Sequence, residues 1–225
     1  MSGKITKHIL EIRYKPDPRF LDKRGSVAAQ IADQDFNQWN ISNDRIDFNN
    51  TKHPELSRFF SIRNLGVTSV YPATTQTFLD TSENYIKSAW PCFPANTITR
   101  LGVRSFFLTK EDDFTKAFYK YKKTFLKLEE SQLAGFGADL VDIGLPLNFV
   151  DGDDIFNIMT GPMQKKQSIE IFTDSAFDSG TYLEVDYFRT DISPHITQRQ
   201  VIDFVKKAVE KSEKVLCHIQ KLLAD

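Results

Sequence analysis

Three stretches of the chain repeat their apolar residues every three or four positions, which is the spacing of one helix face. The clearest stretch runs from Thr197 to Ala224 and carries charged residues on its other face. Its apolar residues are Val201, Phe204, Val205, Ala208, Val215, Leu216, Ile219, Leu222 and Leu223. The other two stretches cover Pro18 to Ala32 and Glu111 to Leu128, the latter after a capping-box pattern that starts at Thr109. The spacing therefore predicts three amphipathic helices.

Between these helices apolar and polar residues alternate, which is the pattern of strands with one buried face. The best example is 6–14, which places His8, Leu10, Ile12 and Tyr14 on one face. Further strands are predicted at 39–41, 45–48, 59–70 with a break near Asn64 or Gly66, 97–108, 139–150, 168–174 and 181–189. The stretch 77–90 fits either a strand or a helix.

The predicted order of elements favours an α+β fold with mostly antiparallel sheet(s), because short turns join successive strands. Helices at the start, middle and end can then pack on one face, with the long amphipathic helix last. The order also permits two similar β-α-β-β halves. We expect residues 1–225 to form a single domain, and 92–97 is where a split into two lobes would fall.

Composition narrows the class of protein. The chain has 225 residues, 40% of them apolar and 19 of them Phe, and its formal net charge is −1. These values exclude a disordered chain, a chain-wide nucleic-acid coat and a small disulfide scaffold. Apolar runs are too short for a membrane span or a signal core, so we expect a cytoplasmic location without membrane attachment. Cys92 and Cys217 could form a disulfide, but the interpretation that we favour is two free, buried thiols.

Familiar catalytic motifs are absent from the sequence. It contains no Walker-type phosphate loop, no Gly-x-Gly-x-x-Gly after a strand and no Gly-x-Ser-x-Gly elbow. The four histidines are scattered singly, in spacings that do not match a zinc site. The sequence therefore predicts no catalytic residue and no cofactor.

A cluster of carboxylates is the first candidate site. Asp151, Asp153 and Asp154 could hold Mg²⁺ or Ca²⁺, because oxygen ligands at alternating positions suit hard cations. The interpretation that we favour is an ordinary turn followed by a cap of a short helix over 155–158. A metal would make the Asp139–Asp154 carboxylates the centre of a Mg-dependent phosphoester hydrolase or nuclease.

A pair of arginines is the second candidate site. Arg100, Gly102 and Arg104 share one face of a predicted strand. Two guanidinium groups beside a glycine could hold a carboxylate or phosphate, as in a small-anion or nucleotide sensor. The alternative, which we favour, is cross-strand pairing with Glu184 and Asp186 on the last predicted strand, which would fix the register of the two strands.

Charge and loop aromatics indicate binding to other proteins. Residues 139–191 hold 11 acids against 3 bases, whereas residues 4–24 hold 7 bases against 3 acids. Opposed patches of this kind are typical of protein-binding surfaces. Three phenylalanines fall in loops or at a turn and form the predicted partner surface: Phe93, Phe136 and Phe177.

The helix predicted at 111–128 has a basic face. Its lysines are Lys116, Lys120, Lys122, Lys123 and Lys127. With Tyr119 and Tyr121 interleaved, this face would suit single-stranded nucleic acid. A solvated helix face is the interpretation that we favour.

The run Arg100-Leu-Gly-Val-Arg104, followed by a helix, an acidic strand Leu183-Glu-Val-Asp-Tyr-Phe188 and a long helix, resembles an uncharacterised prokaryotic family. That family is sporadically distributed and has an Arg-Leu-Gly-Leu-Arg-Tyr-type strand. The resemblance covers residues 100–225, and Ser105 stands where the family has an aromatic residue. The matching residues are Arg100, Leu101, Gly102, Arg104 and Asp186. The resemblance implies a similar fold and a prokaryotic origin, and the patchy distribution suggests an accessory or defence-type system.

These features predict a non-catalytic protein-interaction component of a bacterial accessory or defence-type system. Its partner would be another protein of that system or a second copy in a homodimer. The metal-dependent hydrolase and the anion sensor are the alternative functions.

Overall fold

A computed structural model describes residues 3–32, 35–71, 74–172 and 177–224 of the chain. The strands are β1 (Lys4–Tyr14), β2 (Gln38–Ile41), β3 (Arg45–Asn49), β4 (Leu56–Ser61), β5 (Asn64–Val70), β6 (Ile98–Lys110), β7 (Leu145–Asp151), β8 (Asp154–Gln164) and β9 (Ser179–Arg189). The helices are α1 (Phe20–Ile31), α2 (Thr75–Ala89), α3 (Phe114–Phe125), α4 (Glu130–Ala134), α5 (Lys165–Phe172) and α6 (Gln198–Ala224). Short 3₁₀ turns at Trp90–Cys92 and Ala95–Thr97 lead into β6.

Within the described residues, nine strands form one sheet in the order β2-β3-β4-β5-β1-β6-β9-β8-β7. Every neighbouring pair is antiparallel, so the predicted α+β fold with an antiparallel sheet is confirmed. Strands β1 to β5 form one half of the sheet and β6 to β9 the other. In each half the first strand pairs with the last, β1 with β5 and β6 with β9. The two halves meet where β1 pairs with β6, with Leu10 opposite Val103 and Glu11 opposite Gly102.

Alternation along β1 decides which face of the sheet is covered. Leu10, Ile12 and Tyr14 are buried in the main core, as the sequence predicts. Residues of α1, α2 and α6 complete that core, and the Tyr121 hydroxyl on α3 lies 2.5 Å from Thr160 Oγ1 on β8. The three predicted helices therefore lie on the same face, and the ambiguous stretch 77–90 is helical as α2.

The described residues cover the opposite face, which we call the open face, at one end only. There Phe172 of α5 packs with Phe106, Leu108 and Tyr182 in a second, smaller core. The strand predicted at 168–174 is therefore wrong: residues up to Phe172 are helical, and Asp174 lies outside the described residues. The physical reason is that Ser168 and Phe172, four residues apart, are the buried pair, which is a helical spacing.

Two further predictions are corrected around β7 and α3. The short helix predicted at 155–158 is instead part of β8, whose residues alternate between the two faces of the sheet. The strand predicted from 139 begins only at Leu145. The capping-box pattern at Thr109 is not the cap of α3, because the Asp113 carboxylate accepts from the Lys116 N–H.

Candidate functional site

The predicted arginine pair lies at the centre of the open face and is held by Asp186. Arg100 Nη2 donates to both Asp186 carboxylate oxygens, at 2.7 and 2.9 Å, and Arg104 Nη2 donates to one of them at 3.0 Å. Arg104 Nε also lies 3.4 Å from Glu184 Oε1. The two strands thus bring together all four residues: Arg100, Arg104, Glu184 and Asp186.

Gly102 explains how Arg100 reaches across the strand. A Cβ atom at this position would lie 2.8 Å from Arg100 Nη1 and 3.2 Å from Phe188 Cβ. Without it, the guanidinium folds over the glycine and lies 4.5 Å above the Phe188 ring, and Glu11 comes within 3.7 Å. Arg100 and Arg104 therefore lie on either side of a glycine that leaves room for the Arg100 side chain, and both guanidinium groups reach carboxylates.

The carboxylates at the turn between β7 and β8 are arranged differently from those of a metal site. The side chain of Asp154 is fully buried and accepts from Tyr187 Oη at 2.7 Å, Arg189 Nε at 2.7 Å and Lys207 Nζ at 2.6 Å. Asp151 accepts from Lys211 Nζ at 3.3 Å, and Asp153 is exposed. Within the described residues, no three His, Cys, Asp or Glu side chains converge as metal ligands would.

The environment of Asp154 keeps it ionised. Burial alone would raise the pKa of this carboxyl, but the hydrogen bonds from Arg189, Lys207 and Tyr187 outweigh it and hold the pKa below its ordinary value. Asp154 therefore acts as an anchor that ties the start of β8 to β9 and α6.

The three predicted partner phenylalanines lie in different environments. Phe93 is buried, so its predicted exposure is wrong: its ring stacks on Tyr14 at 5.4 Å and meets Trp90 edge-on. Phe177 is half-buried against the second core. Phe136 is 76% exposed, in the segment that leads to β7.

Among the described residues, the most exposed apolar side chains lie on β7 and in the segment before it, and β7 is an edge strand of the described sheet that pairs with β8. Val150 is 78% exposed there, and Phe149 is 41% exposed although its ring stacks on Phe156. Apolar residues exposed in this part of the chain are Phe136, Leu140, Val141, Phe149, Val150 and Met159. The alternation of residues before Val150 predicts a strand but not an edge, although Pro146 inside an apolar strand is the usual signal of an edge strand.

The backbone of β7 offers free hydrogen-bonding groups. Asp151 and Asp154 close a two-residue turn in which Gly152 has a φ of 64°, so they form a hydrogen-bonded pair. Alternation along an antiparallel strand then directs the backbone groups of Pro146, Asn148 and Val150 away from β8. Since Pro146 has no N–H, the edge presents two donors, on Asn148 and Val150, and three carbonyl acceptors.

The basic face of α3 is largely paired with acids. Lys116, Lys120 and Lys122 make ion pairs with Asp112, Glu111 and Glu130. Tyr121 is buried, whereas Tyr119 is exposed. An interleaved row of exposed aromatics, which single-stranded nucleic acid would stack on, is therefore not formed by these two tyrosines.

The two cysteines are free. Burial raises the pKa of the half-buried Cys92 thiol. Cys217 is exposed, so its expected burial is wrong: it faces the charged side of α6 with Lys214 and Lys221.

Comparison with known proteins gives no family for the chain: no family model matches it, and no curated protein matches it. Among the described helices, none is both long enough and apolar enough to cross a membrane.

Proposed function

We propose that the protein is a non-catalytic binding module that takes up an extended segment of a partner protein along β7. The observation that carries the proposal is the seven-residue edge strand whose apolar side chains and backbone groups are both exposed. A partner strand added to such an edge gains main-chain hydrogen bonds for affinity and side-chain contacts for specificity. The resemblance noted above would make the partner another protein of the same bacterial system.

The backbone defines where the partner segment would lie. It would donate to the carbonyls of Pro146, Asn148 and Val150 and accept from the N–H groups of Asn148 and Val150. One face of β7 carries the apolar row Leu145, Leu147 and Phe149. On the open face, the polar pair Asn148–Asn157 separates the apolar pairs Val150–Ile155 and Pro146–Met159. The partner segment should therefore carry apolar residues at alternate positions.

Acidic residues on either side of β7 indicate which charge the ends of the partner segment should carry. Asp139 and Asp142 precede β7 and are exposed, and Asp153 in the turn that follows it is also exposed. Antiparallel pairing of two copies would bring the turn of one copy beside the preceding segment of the other, so acids would face acids. Lysine or arginine at the ends of the segment would instead find opposite charge, and we propose a basic partner segment rather than a second copy.

The two alternative functions have less support in the geometry. A hydrolase would need metal ligands that converge, and the buried Asp154 is fully engaged with Tyr187, Arg189 and Lys207. An anion sensor at Arg100 and Arg104 would have to compete with carboxylates of the protein. Arg100 Nη2 donates to both Asp186 oxygens, Arg104 Nη2 donates to one of them, and Arg104 Nε lies 3.4 Å from Glu184.

Selection from a random-sequence peptide display library tests the proposal. The wild-type protein is the target, Asn148→Pro removes an outward N–H of β7, and Ile41→Pro is the matched change on β2, the other edge strand. We expect enriched peptides to alternate apolar residues between basic ends, and to bind Asn148→Pro about tenfold more weakly but Ile41→Pro unchanged. Equal binding to all three proteins, or enrichment of acidic peptides, would refute the strand-addition model.

Light scattering after size-exclusion chromatography adds a second readout. We expect the isolated protein to be a monomer, because self-pairing along β7 brings acids together. If the protein is instead a dimer that Asn148→Pro converts to a monomer, then β7 binds a second copy of the chain and not a basic partner segment.

A further inference from the structure

A cleft on the helix-covered side of the sheet is separate from β7 and from the Asp186 cluster. It lies between the end of β9, the segment 190–197 and the first turns of α6, and has a volume of about 290 Å³. That volume is close to the lower limit for small-molecule pockets. Its apolar lining consists of Leu101, Ile192, Ile196 and Phe204.

Two cationic side chains, Arg189 and Lys207, lie on one wall of the cleft, and the buried Asp154 carboxylate binds both. Asp154 accepts from Arg189 through Nε and from Lys207 through Nζ, so one buried carboxylate faces two positive charges. Arg189 and Lys207 both line the cleft, with side chains 34% and 51% exposed. Arg189, Lys207 and Asp154 together therefore carry a net positive charge beside the apolar part of the cleft lining.

The free atoms of Arg189 define what the wall can bind. Only Nε is used by Asp154, and among the described residues no protein group accepts from its two terminal nitrogens. A guanidinium fixed through one nitrogen keeps donors that a carboxylate can accept from. Its central carbon lies 6.0 Å from the Phe204 ring centroid, so the charged and apolar parts of the site are adjacent.

Acids at the rim limit the charge of the ligand. Asp191 and Asp203 both line the cleft, and Asp203 is 52% exposed and paired with Arg199. A di- or triphosphate would place several negative charges beside these carboxylates. A ligand with one negative charge and an apolar body fits both the wall and the rim.

We propose that this cleft binds a small monocarboxylate with an aromatic or branched apolar body. The carboxylate accepts from the terminal nitrogens of Arg189 and lies near Lys207, and the body packs on Ile192, Ile196 and Phe204. This site is independent of strand addition along β7, so either proposal can fail without the other.

The test is an NMR titration of isotope-labelled full chain with phenylacetate, and with phenylethanol as its uncharged counterpart. We expect phenylacetate to bind with a Kd of about 1 mM or tighter and phenylethanol at least about tenfold more weakly. Shifted resonances should come from Ile192, Ile196 and the first turns of α6. No saturable binding of phenylacetate, or equal affinity for the two compounds, would overturn the proposal.

Variants separate the site from adventitious binding. Arg189→Gln should weaken phenylacetate binding at least about tenfold, and Arg104→Gln on the open face should leave it unchanged. Gln200→Glu keeps the side-chain oxygen that caps Thr197 N–H, so it preserves the fold while adding a negative charge at the rim. It should weaken binding of phenylacetate but not of phenylethanol. Unchanged phenylacetate affinity in both Arg189→Gln and Gln200→Glu would place the ligand elsewhere.

Discussion

The two edge strands of the sheet, β2 and β7, are protected in different ways against pairing with another chain. Both expose apolar side chains, Trp39 and Ile41 on β2 and Phe149 and Val150 on β7. The β2 strand has only four residues, whereas β7 has seven. Short edge strands offer too few backbone groups for another chain to pair with, and that is a usual protection against aggregation.

The longer edge strand, β7, has other features that protect it against pairing with a second copy. Pro146 removes one outward donor, and exposed acids precede and follow the strand. These features discourage self-pairing, and the proposed basic segment would bind the central part, from Pro146 to Val150. We therefore expect β2 to be an end of the sheet that binds no other chain, and β7 to be the edge at which the proposed partner segment binds.

The largest effect is expected beneath β7. Phe156 is buried and stacks on both Phe149 and Tyr187, so Phe156→Ala should lower the free energy of unfolding by about 3–4 kcal/mol through the cavity it leaves. Phe149 is 41% exposed, so Phe149→Ala should cost about 1 kcal/mol. Urea denaturation measures both. If Phe149→Ala cost as much as Phe156→Ala, the exposed ring would be part of the core and not of a docking surface.

Acid should destabilise the whole sheet, because the group that becomes protonated, His8, lies on the central strand β1. Burial, with a smaller contribution from Lys4, lowers the pKa of His8 on β1 from 6.5 to about 4. The unfolded chain therefore binds a proton that the folded chain excludes, and stability present above pH 6.5 is lost as the pH falls towards 4, by up to about 3 kcal/mol.

Urea titrations between pH 7 and pH 4, with His8→Gln as the control, measure this loss. The variant should have a flatter dependence on pH across that window. Hydrogen exchange should rise together at β2 and β7; a rise confined to β7 would mean that its hairpin, and not the His8 site, is the acid-labile element.

A smaller and local effect is expected at Asp154. Asp154→Asn removes the charge that holds Arg189 and Lys207, but both cations are partly exposed, so water compensates and the cost should be about 2 kcal/mol. The pKa of Asp154 lies below its ordinary value of 3.8, so its contribution is present above that pH and lost as the pH falls below it. Hydrogen exchange at neutral pH should increase in the β7–β8 hairpin and stay constant in the β2–β3 hairpin. An equal increase at both would contradict a local anchor.

The smallest effect on stability is expected at the exposed side chains themselves. Val150→Lys on β7 and Ile41→Lys on β2 should each change the free energy of unfolding by no more than about 0.5 kcal/mol. Only Val150→Lys should weaken binding of a basic peptide, because it adds a like charge at the docking edge. Thermal melts and peptide binding, measured on the same samples, distinguish these outcomes.

Periodicity predicts most of this fold because the core residues of β1, α1 and α6 follow the spacing of their elements. It fails at α5, where Ile169 and Ile171 alternate like a strand while the buried pair is Ser168 and Phe172. The pairing of Arg100 with Asp186 depends on which strands are neighbours, so the sequence can suggest it but cannot decide it. The cleft beside α6 is assembled from β6, β9 and α6, and no local pattern in the sequence marks it.

The most direct test of docking at β7 is fluorescence anisotropy with two matched peptides. Each alternates valine and threonine, one between lysine pairs and the other between glutamate pairs, and each is titrated with wild-type protein, Asn148→Pro and Ile41→Pro. The strand-addition model predicts that the lysine-flanked peptide binds wild type and Ile41→Pro equally, and binds Asn148→Pro about tenfold more weakly. Its affinity should also fall with added salt, because screening weakens the attraction of the exposed acids. Tighter binding of the glutamate-flanked peptide, or equal binding of the lysine-flanked peptide to Asn148→Pro and wild type, would contradict it.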